Sequence, residues 1–351
     1  MLETLGEPTV AALAGLIGGI MLGLAARLGR FCTLGAIEDT LYANDTRRLR
    51  MWGVAIGVAI IGSFSAMSLG FVQADQTLYL MQAWSPLANI FGGLLFGYGM
   101  ALAGNCGFGA LARFGGGDLR SFVIVLVMGL SSFAVLSGPL AELRIMAFPP
   151  VPVTGTPPGV AHFMAEHLAI NPLLPALVIG LAFIGIALSS KRMRESPSQI
   201  FWGAIVGAAI VTGWVGTSWV ANNGFESIAV VSHTFSRPLG ETMLYIMTSS
   251  GRSLSFGVGS VAGVLAGAFA GSLIKGHFRW EACEDPRELR RQITGAVLMG
   301  IGAVIALGCT VGQGLSAFSV LAFSAPVTMA AIFAGTAIGL RQLITGFMPA
   351  G

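Results

Sequence analysis

Charge is what this chain has least of: Asp, Glu, Lys and Arg together fill 10% of its 351 positions, against roughly a quarter in soluble domains. With 54% apolar residues beside it, that scarcity excludes an ordinary soluble fold. Cysteine is scarce too, at four residues with no C-x-x-C pair, so a thiolate zinc site or an iron–sulfur cluster lacks its usual paired ligands. No ATP-binding motif and no quinone, haem or nucleotide signature occurs, and no cofactor or nucleic-acid partner is expected. Basic residues are missing ahead of the first apolar run, where Glu3 and Glu7 stand instead. That run therefore reads as a true span and not as a cleaved signal peptide.

What is present is a series of nine mostly apolar stretches, each long enough to cross a hydrocarbon core of roughly 30 Å. They lie near 8–26, 51–71, 86–104, 119–139, 172–190, 199–220, 252–274, 290–308 and 325–347. Basic residues cluster between them: Arg47, Arg48 and Arg50; Lys191, Arg192 and Arg194; and Lys275, Arg279, Arg287, Arg290 and Arg291. With those loops cytoplasmic, only Arg144, Arg237 and Arg252 among the 19 basic residues fall outside. The positive-inside rule then puts the N-terminus outside and the C-terminus in the cytoplasm.

The segments between spans one and two, three and four, six and seven, and eight and nine are too apolar and glycine-rich for ordinary loops, yet too short to cross twice. They read as re-entrant half-helices, which membrane depth tolerates only inside protein or beside a water-filled cavity. The expected fold is an all-α membrane protein of about nine transmembrane helices plus re-entrant half-helices in two inverted-topology repeats. Repeat one takes 1–139, an outer loop and connecting span 140–198, and repeat two 199–351, with its re-entrant segments at 222–249 and at Cys309. Gly15, Gly19 and Gly23, and Gly259, Gly263, Gly267 and Gly271, recur every four residues and predict close helix packing. The proline-bearing stretch 140–171 predicts an irregular outer cap, with His162 and His167 solvated.

Three of the four cysteines share one pattern: Cys32-Thr33-Leu34-Gly35, Cys106-Gly107-Phe108-Gly109 and Cys309-Thr310-Val311-Gly312. Even in a chain with 50 glycines, the recurrence of glycine at the third following position is expected by chance about once in a hundred such chains. Each motif closes an apolar span and opens a half-helix, whose free N–H groups and partial positive charge make a ready anion site. Neutral thiols add weak, polarisable S–H donors, so an anion meets many modest donors and no single trapping charge. Conduction requires that balance. The 222–249 segment carries no cysteine and offers Asn222, Asn223, Glu226 and His233 instead. Asn105 and Gln313 stand as polar neighbours of the thiols or as partners of re-entrant backbone. Arg237 and Arg252 stand as attractors at the outer mouth or as headgroup anchors. Arg30, Arg113 and Arg120 are expected mainly to enforce topology.

At Gly29-Arg30-Phe31-Cys32-Thr33-Leu34-Gly35, at Gly104-Asn105-Cys106-Gly107-Phe108-Gly109-Ala110-Leu111 with Arg113 and Gly115 to Ser121, and at Gly308-Cys309-Thr310-Val311-Gly312-Gln313-Gly314-Leu315-Ser316, the chain resembles the YeeE/YedE sulfur-transport family. The resemblance implies an hourglass-shaped inner-membrane transporter in which thiosulfate, or a similar sulfur anion, passes between the thiols of Cys32, Cys106 and Cys309. Gly35, Gly109 and Gly312 support them. It also implies a separately encoded, TusA-like cytoplasmic sulfur carrier as partner. Other sulfur or selenium species, or a membrane thiol or persulfide oxidoreductase, stand as alternatives.

Overall fold

A computed structural model describes residues 2–149, 151, 153, 155–282 and 285–346. Cys283, read from the sequence as a cytoplasmic loop residue, and Pro150, read as part of the outer cap, lie outside the described residues. Among those described, helices and the loops that join them make up the fold, with no strand beyond the isolated bridges Thr77–Val230, Asp118–Glu281 and Gly159–Ala322.

The chain opens with α1 (Leu2–Leu5) and α2 (Glu7–Leu28), then α3 (Thr33–Tyr42), α4 (Arg47–Ser68), α5 (Pro86–Ala103), α6 (Gly107–Phe114) and α7 (Leu119–Leu136). The stretch 140–171, read from the sequence as an irregular outer cap, holds α8 (Ala141–Ala147) and α9 (Val160–Leu168), so it is less irregular than its prolines suggest. After it come α10 (Leu173–Leu188), α11 (Lys191–Arg194), α12 (Pro197–Asn223), α13 (Arg237–Thr248), α14 (Phe256–Ile274) and α15 (Pro286–Ile305). A helical turn wound as a π-helix over Gly312–Ala317 precedes α16 (Ser324–Thr345). Long helices start where the sequence supplies proline in the first turn, as in α2, α5, α12 and α15, because the missing N–H has no intrahelical partner there. Asp118 opens α7 by accepting from the backbone N–H of Arg120 and Ser121.

Seven helical stretches among the described residues are long and apolar enough to cross a membrane, against about nine expected. Helix α10 is short, at 16 residues. Helix α15 has 20 residues but carries Arg287, Glu288, Arg290 and Arg291 in its first turns. Within the segment 222–249 read as re-entrant, α12 runs on through Asn223 and the half-helix opens at Ser236. His162 is not solvated as expected: it packs on Phe64 with ring centroids 5.7 Å apart.

Glycine decides how closely the helices approach. A Cβ at Gly259 would run into the Ala12 carbonyl of α2, and one at Gly19 into the Ser260 carbonyl of α14. The two predicted glycine stripes therefore face each other, with backbone against backbone. The same holds where α5 meets α15 and α16: a Cβ at Gly92 would stand 2.7 Å from the Gly302 carbonyl, and Gly97 abuts that of Ile332. Helix pairing is matched across the chain. α2 packs on α14 as α12 packs on α4, α5 on α16 as α15 on α7, and α13 on α7 as α3 on α16.

Candidate functional site

Each of Cys32, Cys106 and Cys309 is set by the same local device. Two residues before it the backbone turns left-handed, at Arg30 (φ 56°), Gly104 (φ 73°) and Leu307 (φ 57°), which stops the preceding helix. Glycine takes that conformation freely, whereas Arg30 and Leu307 hold it at a cost in strain. The chain then enters the half-helix in extended geometry, with Cys32 and Cys106 as N-caps. Cys32 Sγ accepts from Gly35 N at 3.5 Å and Cys106 Sγ from Gly109 N at 3.3 Å. A thiol is a weaker acceptor than the oxygens that normally cap helices, so capping alone does not explain sulfur at these positions.

The glycine three residues on has a different neighbourhood each time. A Cβ on Gly35 would collide with the Arg48 guanidinium, and one on Gly312 would stand 2.6 Å from Thr234 Oγ1 and 2.8 Å from the Tyr79 hydroxyl. On Gly109 it would meet nothing closer than 3.6 Å. Cys309 also differs: its Sγ accepts from Phe235 N at 3.3 Å and lies 3.7 Å from Thr234 Oγ1. The segment leading into α13 thus lies directly on the third thiol. Phe235 also packs on Phe108 of α6, ring centroids 5.2 Å apart.

The three thiols fall in one region. Cys106 and Cys309 are fully buried and Cys32 partly exposed. Cys106 lies within electrostatic range of both Cys32 and Cys309 and faces the Thr310 hydroxyl. That hydroxyl is buried with no partner in hydrogen-bonding geometry among the described residues. On the Cys309 side a cavity of about 350 Å³ is lined by Glu226, Thr234, Arg237, Glu241 and Ser255. On the other side Cys32 opens into a cavity of about 340 Å³ lined by Arg27, Arg30, Arg48, Arg113, Lys275 and Glu38, among others.

The remaining expected residues divide. Gln313 donates through Nε2 to the Ala306 carbonyl at 2.7 Å, satisfying backbone where α15 breaks. Asn105 is buried beside Cys106. Glu226 lines the cavity on the Cys309 side, and its backbone N–H donates to Glu7 at 2.8 Å. Arg237 is paired with Glu241 at 2.6 Å, and Arg252 lies in an open groove beside that pair, away from the thiols. Arg30 and Arg113, expected to serve topology, line the cavity below Cys32. Arg120 instead pairs with Asp118, Glu281 and Glu288.

Sequence reasoning missed Thr234, which reaches Cys309, and Tyr79, whose hydroxyl lies beside Gly308 and Gly312; neither segment carries a motif. The Thr that follows both Cys32 and Cys309 is a sequence signal from which Thr310 could have been found. Lys275, at the end of α14, is held below its ordinary pKa by burial and then by Arg30 and Arg27.

Residues 28–338 match a family described as sulphur transport. The thiosulfate transporter TsuA of Escherichia coli (strain K12) is 26% identical over 324 residues, covering 86% of this chain and 86% of the relative. The thiosulfate transporter TsuA of Spirochaeta thermophila is 27% identical over 320 residues, covering 88% of this chain and 92% of the relative. A probable transporter YedE of Escherichia coli (strain K12) is 26% identical over 113 residues, covering 32% of this chain and 26% of that protein.

Proposed function

The chain belongs to the sulphur transport family, and from that premise we propose that it imports a small sulfur-containing anion, thiosulfate first, across a bacterial inner membrane along Cys309, Cys106 and Cys32. The observation that carries the reading is the repeated construction of the thiols. Each opens a helical segment at a break in a long helix, and the middle one lies within range of the other two. Moving an ion of carboxylate size from water into a low-dielectric interior costs on the order of 20 kcal/mol before relaxation. Helix N-termini offset that cost with roughly half a positive charge each. Four such ends, at Cys32, Cys106, Ser236 and Cys309, together amount to about two positive charges, a match for a dianion. S–H donors then grip sulfur and oxygen weakly enough to let go.

The matched pairing of α2 with α14 and of α12 with α4, and of α5 with α16 and of α15 with α7, supports nine spans in inverted repeats over 1–139 and 199–351. The connector is 140–198. Orientation with the N-terminus outside is supported by basic side chains gathering where helices end together. Arg50 donates to the Ser189 hydroxyl after α10, and Lys275 to the Arg27 and Leu28 carbonyls of α2. Delivery of the sulfur to a TusA-like carrier in the cytoplasm belongs to the same reading.

The test is uptake of labelled thiosulfate by cells without other import routes, comparing the intact protein with Cys32→Ala, Cys106→Ala and Cys309→Ala variants of verified membrane expression. Uptake by the intact protein that collapses in all three variants is the expected result. An intact protein that imports no thiosulfate defeats the substrate assignment, and normal uptake by the variants defeats the thiol path.

A further inference from the structure

The cavity below Cys32 gathers five cations from separate parts of the chain: Arg27 at the end of α2, Arg30 in the turn after it, Arg48 on α4, Arg113 on α6 and Lys275 after α14. One carboxylate, Glu38, shares the lining. Some of these cations are held by protein: Arg27 Nε donates to Ser272 Oγ at 2.6 Å, and Arg48 pairs with Asp39 at 3.3 Å. The side chains of Arg30 and Arg113 have neither an ion pair nor a hydrogen bond among the described residues. Arg30 is also fixed in a left-handed backbone conformation at φ 56°, which a non-glycine residue adopts at a cost.

Cations that serve only topology spread along loops and reach for headgroups. Here they converge on one concave volume and repel one another, an arrangement that an anion in the cavity relieves. The cavity on the Cys309 side has the opposite balance, with Arg237 faced by Glu226 and Glu241. At about 340 Å³, the inner volume holds the equivalent of about ten waters, room for a tetrahedral dianion that keeps part of its hydration.

We propose that this cavity is a distinct binding site for small divalent oxyanions, sulfate as well as thiosulfate, held by Arg30 and Arg113 with Arg27 behind them. It reads charge, whereas the thiols above read sulfur. The inference rests on the transport reading only in taking the site as the exit from Cys32; the binding itself does not depend on it. Sulfate arriving from the cytoplasm occupies the same site and competes with the anion leaving Cys32.

The experiment is equilibrium binding of radiolabelled sulfate, and separately of thiosulfate, to the purified full-length Cys106→Ala protein, in which the thiol path is interrupted. Both anions are expected to bind, with affinity falling steeply as salt rises. Arg113→Gln or Arg30→Gln weakens binding about tenfold, the loss of one charge-assisted hydrogen bond, and Arg113→Lys recovers part of it. Each variant is checked for an unchanged elution profile, and either arginine suffices should the other variant fail to fold. Binding that is absent from the Cys106→Ala protein, or that is indifferent to both Gln substitutions, overturns the inference. Sulfate binding that persists in a protein importing no thiosulfate upholds the site while defeating the transport reading.

Discussion

The three motif glycines are identical in sequence and unlike in space, which gives a sharp test of the site. At Gly312 a methyl group would sit 2.6 Å from Thr234 Oγ1 and 2.8 Å from the Tyr79 hydroxyl. Both contacts are too short to persist, and the Thr234 hydroxyl is already 3.7 Å from the Cys309 thiol. Overpacking of this kind costs about 1–3 kcal/mol, so Gly312→Ala is expected to lower the thermal midpoint of the detergent-purified protein and to reduce uptake. At Gly109 the same methyl would meet Asn105 Oδ1 and Cys106 Sγ at 3.6 Å, an ordinary contact. Alanine is also the better helix former by roughly 0.5–1 kcal/mol. Gly109→Ala should therefore leave stability unchanged or slightly raised, while its methyl sits against the central thiol and lowers uptake. The assay is paired: a melt of each purified variant, and thiosulfate uptake normalised to protein in the membrane. Equal destabilisation by the two substitutions, or a Gly312→Ala protein as stable as the parent, would refute the reasoning.

Gly259→Val places a branched side chain against the Ala12 carbonyl, and loss of folded protein on size-exclusion chromatography is expected. Gly185→Ala, where nothing lies within 4 Å, should behave as the parent. Trp214 Nε1 donates to Ser319 Oγ at 2.8 Å deep in the fold, so Trp214→Phe should cost about 1–2 kcal/mol in a denaturation series. The Ala306 carbonyl accepts from both Asn89 Nδ2, at 3.2 Å, and Gln313 Nε2, at 2.7 Å. Asn89→Leu and Gln313→Leu should each be mild, and the double variant worse than their sum, because only then is the carbonyl stranded. A strictly additive cycle would show that the two amides do not share that task.

Much of the fold was legible in the sequence because lipid imposes a simple grammar. Scarce charge, long apolar runs and basic loops placed helices where α2, α4, α5, α7, α12, α14 and α16 stand. The four-residue glycine spacing foretold close packing, although not that α2 and α14 would supply each other's partner. The repeated C-x-x-G located three half-helix openings, since the residue before a helix must break from its predecessor and the motif recurs where apolar runs stop. The fourth opening, at Ser236, falls inside the segment 222–249 read as re-entrant, but no motif marks where α12 ends and α13 begins within it.

Composition and periodicity by themselves determined that this chain is a helical membrane protein and which of its cysteines share a motif, because both follow from local patterns read along one strand of sequence. Only the tertiary structure decided what surrounds those cysteines. Thr234 and Phe235 reach Cys309 across 74 and more residues of chain, and Arg30, Arg48, Arg113 and Lys275 meet below Cys32 from four separate segments. A charge read along the chain looks the same whether it anchors a loop or lines a cavity. The difference lies in which other helices fold against it, and that depends on contacts with no signature in local sequence.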